Sequence, residues 1–223
     1  MPTLYIANKN YSSWSLRPWV LLRELGIPFE EKLMPFHGSA FTGFSPSGKV
    51  PCLVDGVITV WDSLAIAEYL AETHPQVWPA DKAARAFARC AAAEMHSGFM
   101  ALRTQCGMNC GIRVKLHRID KALQGDLARL NALWNDGLQR FRGPFLAGKA
   151  FSAADAFYAP VAFRIQTYAP PLDDAANTYA QRLLALPAMR EWYGDALKET
   201  WRHAAHENEV TEWGAITEDL RAA

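Results

Sequence analysis

Cysteine is scarce in this chain. Cys52, Cys90, Cys106 and Cys110 are the only four in 223 residues. Scattered so thinly, they make no disulfide scaffold of the kind short secreted domains need. Cys106-x-x-x-Cys110 lacks the Cys-x-x-Cys pairing of a zinc site, and no second cluster follows; His96 and His117 lie some way off. Two cysteines one helical turn apart read as small apolar fillers, and no metal is assigned. An excess of charge is also missing: 23 Lys and Arg balance 23 Asp and Glu. That removes the electrostatic argument for a nucleic-acid or anionic-membrane partner. No apolar run approaches the roughly 20 residues that span a bilayer. The opening Met1-Pro2-Thr3-Leu4-Tyr5-Ile6 has no basic stretch ahead of an apolar one, so no signal peptide is expected. No serine sits in a Gly-x-Ser-x-Gly elbow, which argues against a hydrolase triad. These absences together predict a reduced, soluble, cytoplasmic protein.

What is present is core material. Half the residues are hydrophobic, enough for one large domain or two small ones. Thr3–Ala7 alternates and carries β-favouring residues, which predicts a strand. Trp19, Val20, Leu21, Leu22 and Leu25 then give a helical apolar face that stops at Gly26, a residue that takes positive φ cheaply. Pro28–Pro35 reads as a second short strand, and the strand–helix–strand order favours a parallel, right-handed unit. After a Gly-, Ser- and Pro-rich loop from Phe36 to Lys49, two β-rich runs flank Asp55-Gly56, a strong hairpin signal. A helix from Asp62 to about Thr73 follows. The order β-α-β, loop, β-β-α is a thioredoxin-like layout. Beyond Pro75, Trp78 and Pro79 no convincing strand is expected. Helical runs are predicted over 83–108, 112–141, 153–167, 177–186 and 188–203. The expected fold is α/β plus all-α: a thioredoxin-like domain over 1–76 and an all-helical domain over 83–223.

Three polar stretches carry the chemistry. Tyr11-Ser12-Ser13-Trp14-Ser15 opens the first helix, so one serine is expected to cap it. A hydroxyl there can also donate to a bound thiolate, and a thiol near a helix N-terminus ionises more readily. Val50-Pro51 enters a strand after a Gly-containing loop. A cis bond at that point would offer the backbone of Val50 to a ligand. Asp62-Ser63 starts the next helix, where capping explains one residue. The free amides there also suit a carboxylate, while Asp62 suits an ammonium group. Such equipment fits a small zwitterionic peptide with a thiol.

These stretches resemble the cytosolic glutathione S-transferase family over nearly the whole chain. Ser12-Ser13-Trp14-Ser15-Leu16-Arg17 is similar to the serine-type stretch of the zeta class, with Trp14 where that class has a cysteine. Lys49-Val50-Pro51-Cys52-Leu53 resembles the family's cis-proline loop, and Asp62–Leu70 its Ser-x-Ala helix start. Ser152-Ala153-Ala154-Asp155, after Phe145–Phe151, resembles its buried capping box, a pattern that satisfies helix-start donors and belongs to folding. The fold implied for the second domain is the family's helical one.

The resemblance implies glutathione as co-substrate and roles residue by residue. Ser12 would hydrogen-bond the sulfur, with Ser13 in reserve. Val50, set by Pro51, would pair with the cysteinyl backbone, and Asp62 and Ser63 would hold the γ-glutamyl end. Lys49, with His37 or Lys32 behind it, would meet the glycine carboxylate. Tyr11, Trp14, Met100 and Arg103 would line the electrophile pocket. A homodimer that conjugates apolar or aromatic electrophiles in detoxification is implied. The alternatives are a glutathione-dependent maleyl-type cis–trans isomerase and a non-catalytic binding protein of the same fold. The diacid of the isomerase would need basic residues, for which Arg17, Arg103 and Arg164 are candidates. With no cysteine in Ser12–Ser15, a mixed-disulfide reductase is disfavoured.

Overall fold

The computed structural model describes residues 1–36 and 41–222. β1 (Thr3–Ile6), α1 (Ser13–Glu24) and β2 (Glu30–Leu33) form the opening unit, with β1 and β2 parallel. Gly26, at φ 64°, makes the turn after α1. β3 (Cys52–Asp55) pairs antiparallel with β1, and β4 (Ile58–Trp61) antiparallel with β3, giving the sheet order β2-β1-β3-β4. Gly56, at φ 59°, turns the hairpin. α2 (Ser63–Ala71) follows, and a 3-10 turn at Pro75–Val77 leads out of this thioredoxin-like layer.

The rest is chiefly helical: α3 (Lys82–Ser97), α4 (Met100–Gln105), α5 (Lys121–Phe141), α6 (Ala153–Tyr168), α7 (Asp174–Ala185), α8 (Pro187–Lys198) and α9 (Ala204–Trp213). α6 is its axis. Every residue of α6 except Gln166 is buried, and it packs on α1, α3 and α7. A helix apolar all round belongs in the middle of a core. Asp155 is wholly buried at its start and accepts hydrogen bonds from the amides of Ser152 (2.9 Å) and Leu146 (3.0 Å) and the Tyr179 hydroxyl (2.8 Å). The capping box therefore ties α6 to α7 and to the preceding loop.

Three expectations are corrected. The second domain is not all-helical: β5 (Ile112–Leu116) pairs antiparallel with β6 (Gly214–Asp219). Ile112-Arg113-Val114-Lys115-Leu116 alternates, with Ile112 and Val114 buried, so its period is that of a strand. Its partner lies a hundred residues away. Gly214 is needed there, since a Cβ would fall 2.5 Å from Val114 Cγ1. The helix expected over 83–108 breaks at Gly98 and Phe99, the latter left-handed at φ 57°. Cys106 and Cys110 consequently lie beyond α4, buried in the core, and not one turn apart on a helix.

Candidate active site

The turn between β1 and α1 is built before any ligand arrives. The Asn8 carbonyl accepts the amides of Tyr11 (3.1 Å) and Ser12 (2.9 Å). Ser12 occupies the cap position of α1, yet its side chain makes no capping bond, contrary to the expectation that a serine caps there. Its hydroxyl instead donates to Ser15 Oγ (2.7 Å), which also accepts the Ala7 amide (3.3 Å). The amides of Trp14 and Ser15, in the first turn, have no intrahelical acceptor and carry the positive end of the helix dipole. Because a hydroxyl both donates and accepts, Ser15 can take over as donor to Ser12 when Ser12 turns its proton to an anion. Ser15 is a supporting residue that the motif alone did not single out.

Two adjoining cavities open at this turn. One, about 540 Å³, is lined by Tyr11, Ser12, Ser13, Trp14, Met100 and Arg103, with Phe36, Phe41, Met108, Arg164, His206 and Glu209 around them. The other, about 420 Å³, is lined by Trp14, Ser47, Lys49, Val50, Pro51, Trp61, Asp62 and Ser63. Trp14, Lys49 and Val50 belong to both walls. The Val50–Pro51 peptide is cis. Among the described residues, neither the amide nor the carbonyl of Val50 has a backbone partner. Lys49 is exposed and forms no ion pair with a described residue. Lys32 lies away from both cavities, 3.7 Å from Glu30. His37 falls outside the described residues.

Asp62 caps α2: Oδ1 accepts the Leu64 amide at 2.8 Å. Its backbone sits at φ 75°, a region non-glycine residues seldom adopt. Ser63 is buried, 3.5 Å from Arg17 Nη1. His96, near the end of α3, lines the larger cavity, and its Nε2 lies 3.5 Å from Asp62 Oδ2. Burial holds its imidazole below the ordinary value, Asp62 opposing and Arg17 and Arg103 assisting. Sequence spacing gave no hint of His96, because it reaches Asp62 only once α3 docks on α2.

Three guanidiniums gather behind the larger cavity. Arg17 is buried and reaches over the Trp14 ring (4.1 Å). Arg103 also stands over Trp14 (4.7 Å) and donates to the backbone carbonyls of Met95, His96 and Gly98. Arg164 is buried, with Nε donating to the Cys106 carbonyl (2.8 Å). Among the described residues none of the three has a carboxylate at ion-pair distance. Burial, with Arg103 adding repulsion, lowers the Arg164 pKa to about 10. Two unpaired cations in a cavity wall favour an anionic group in the cavity.

Comparison with known proteins gives the arrangement its family. Residues 11–73 match the model of the glutathione S-transferase N-terminal domain, and residues 83–195 that of the C-terminal domain. A probable maleylacetoacetate isomerase from Caenorhabditis elegans is 27% identical over 216 residues, 91% of this chain and 98% of that protein. A maleylacetoacetate isomerase from Rattus norvegicus is 30% identical over 172 residues, 71% of this chain and 76% of that protein. A glutathione transferase homolog from Burkholderia gl BGR1, solved with bound glutathione, superposes with a TM-score of 0.66 at 26% identity, covering 87% of this chain and 97% of that one. With both domain models matched in order along one chain, this protein belongs to the glutathione S-transferase family and is a glutathione transferase.

Proposed function

We propose that glutathione lies in the 420 Å³ cleft and that its thiolate, held at Ser12, attacks an electrophilic carbon in the 540 Å³ cavity. The observation that carries this reading is the Ser12 hydroxyl, free of capping duty at the N-terminus of α1, beside two cavities that share Trp14, Lys49 and Val50. Val50 pairs with the cysteinyl backbone, Asp62 takes the ammonium, Ser63 the γ-glutamyl carboxylate, and Lys49 the glycine carboxylate. The thiol proton leaves to solvent; Ser12 and the helix dipole stabilise the sulfur anion that remains. Ser13 lines the same cavity and stands in reserve. Tyr11, Trp14, Met100, Phe36 and Phe41 supply an apolar surface for the electrophile, and fixing both reactants removes much of the entropic barrier.

Replacing Ser12 tests this. A hydrogen bond to a charged partner contributes about 1.5–3 kcal/mol, so Ser12→Ala is expected to lower turnover roughly 10- to 100-fold. Calorimetry should show glutathione affinity little changed, and thiolate absorbance should appear at higher pH than in the unmodified protein. Unchanged turnover removes Ser12 from the role. No glutathione binding at millimolar concentration would move the protein to the ligand-carrier class.

A second reading, glutathione-dependent isomerisation of a maleyl-type diacid, is favoured by one observation: Arg103 and Arg164 line the electrophile cavity with no carboxylate partner among the described residues. We also propose a homodimer, a detoxification role, units spanning 1–76 and 83–223, and a cytoplasmic location. The dimer is supported by Val57, Ile58 and Trp61, exposed on the β3–β4 hairpin, and sedimentation tests it. Four unpaired thiols support the reducing compartment. No helix among the described residues is long and apolar enough to cross a membrane.

A further inference from the structure

Asp62 has two oxygens and one is already spent. Oδ1 holds the Leu64 amide, which fixes the carboxylate despite the unfavourable backbone at φ 75°. Oδ2 is the oxygen left for a ligand's ammonium, and His96 Nε2 stands 3.5 Å from it. Both side chains are partly exposed, 44% for Asp62 and 26% for His96, so a ligand reaches the gap between them. Among the described residues the ring has no other polar partner. Its Nδ1 is buried without a partner, one edge contact is to Trp14 (5.2 Å) and another neighbour is Phe157 (6.3 Å).

We propose that His96 is part of the glutathione subsite and makes binding of the γ-glutamyl end proton-linked: the imidazolium displaces the ammonium from Asp62 Oδ2, and the neutral ring admits it. This rests on the reading of Asp62 as the ammonium's partner. Two cations in contact with the same carboxylate oxygen repel each other, so the imidazolium and the ligand's ammonium compete for it. The charged groups facing His96 are Asp62 on α2, Arg17 on α1 and Arg103 on α4, while α6 presents Phe157. Glu68 lies with His96 along the same groove but is paired with Arg89. Among the described residues, Asp62 is thus the one unpaired anion that faces the imidazolium. Burial and the two guanidiniums keep the ring neutral near pH 7, so the competition sets in on the acid side of the ordinary histidine value of about 6.5.

The experiment is titration with S-methylglutathione, whose blocked sulfur has no thiol proton to lose, by calorimetry from about pH 7.5 to about pH 5, in buffers of different ionisation heat. In the unmodified protein the dissociation constant is expected to rise as pH falls, steepening toward about tenfold per pH unit, with a proton released on binding. His96→Gln is expected to flatten that slope and to bind more tightly than the parent at the acid end. The same S-methylated ligand lacking the α-amino group should show no such slope on the unmodified protein, a control that needs no variant to fold. If His96→Gln keeps the parent slope, or the ligand lacking the α-amino group matches S-methylglutathione, the proposal is overturned. Asp62→Asn separates the two layers. If it leaves affinity unchanged at neutral pH, the Asp62 reading fails. If it weakens binding while His96→Gln keeps the slope, only the His96 inference fails.

Discussion

Arg17 and Arg103 both reach over the ring of Trp14, at 4.1 and 4.7 Å, and His96 meets it edge-on. Trp14 is thus a fixed partition between the two cavities. The cost is a cluster of buried cations that repel one another: Arg103 and Arg164 each depress the Arg17 pKa, after burial itself. An isolated buried charge is destabilising unless something pairs with it. Arg164→Met should therefore cost little stability, because the lost Cys106 carbonyl bond is offset by relief of repulsion. A Tm within about 4 °C of the parent is expected. Kinetics should separate two electrophile types. For a carboxylate-bearing electrophile KM should rise roughly tenfold or more, the equivalent of about 1.5–3 kcal/mol for a charge-assisted bond. For an uncharged aromatic electrophile it should not change. Equal effects on both would remove the argument for an anionic substrate, and with it the structural support for diacid isomerisation.

The β1–α1 connection shows how an element boundary is held from a distance. Glu199, just past α8 and buried, accepts the amides of Lys9 (2.6 Å) and Asn10 (3.2 Å) and the Asn10 side-chain amide (3.2 Å). The Lys9 carbonyl receives Trp192 Nε1 (2.8 Å), and Lys9 Nζ bonds Glu31 (2.9 Å) and Asp195 (2.8 Å). The residues just before Ser12 are therefore fastened to α8. Glu199→Ala leaves two buried amides without acceptors, each costing about 1–3 kcal/mol. A loss of about 3 kcal/mol, or roughly 6–12 °C in Tm for a chain of this size, is expected by thermal melting. Turnover should also fall at temperatures where the variant is folded, because the Ser12 turn is loosened; a lower Tm with unchanged turnover would make the clamp purely structural. Nothing near Asn8–Ser12 in sequence announces this clamp. What was legible there is local chemistry: the Gly26 stop, the Asp55-Gly56 hairpin, the Asp62 cap, the Ser152/Asp155 box. Lost to sequence reading were features whose partners lie far along the chain. β5 finds β6 a hundred residues on, and His96 finds Asp62 only through helix docking. The break at Gly98 and Phe99 was hidden by an apolar pattern that continues across it.

At the scale of the whole molecule, the last stretch of chain returns to cover the electrophile cavity. α9 contributes His206 and Glu209 to the cavity wall, and β6 secures the stretch against β5. Its latch is Glu207, which accepts the Tyr11 hydroxyl (2.5 Å) and Arg221 Nη2 (3.0 Å), while Arg221 also bonds Asp219 (2.7 Å). The Arg221 side chain is buried and Glu207 largely so, which shields the bonds between them from solvent more than the bond to the half-exposed Asp219. Burial pushes the Glu207 carboxyl up, but the bonds from Arg221 and Tyr11 outweigh it and hold the group below its ordinary value; the bond from Arg221 lowers Asp219 likewise. A carboxylate depressed in the folded state contributes stability above its unfolded value and loses it as pH falls through the folded one. The cover should accordingly stay shut through neutral pH and loosen only below about pH 4. Glu207→Gln removes the charge at every pH. At about 2 kcal/mol for the lost charge-assisted bonds, amide exchange over 204–219 should run roughly 10- to 100-fold faster at neutral pH. The same variant should show no further loosening from this group in acid, and its KM for the electrophile should rise while glutathione affinity holds, since the cover borders only the larger cavity. Unchanged exchange at neutral pH would show that β5–β6 pairing alone holds the segment and that Glu207 latches nothing.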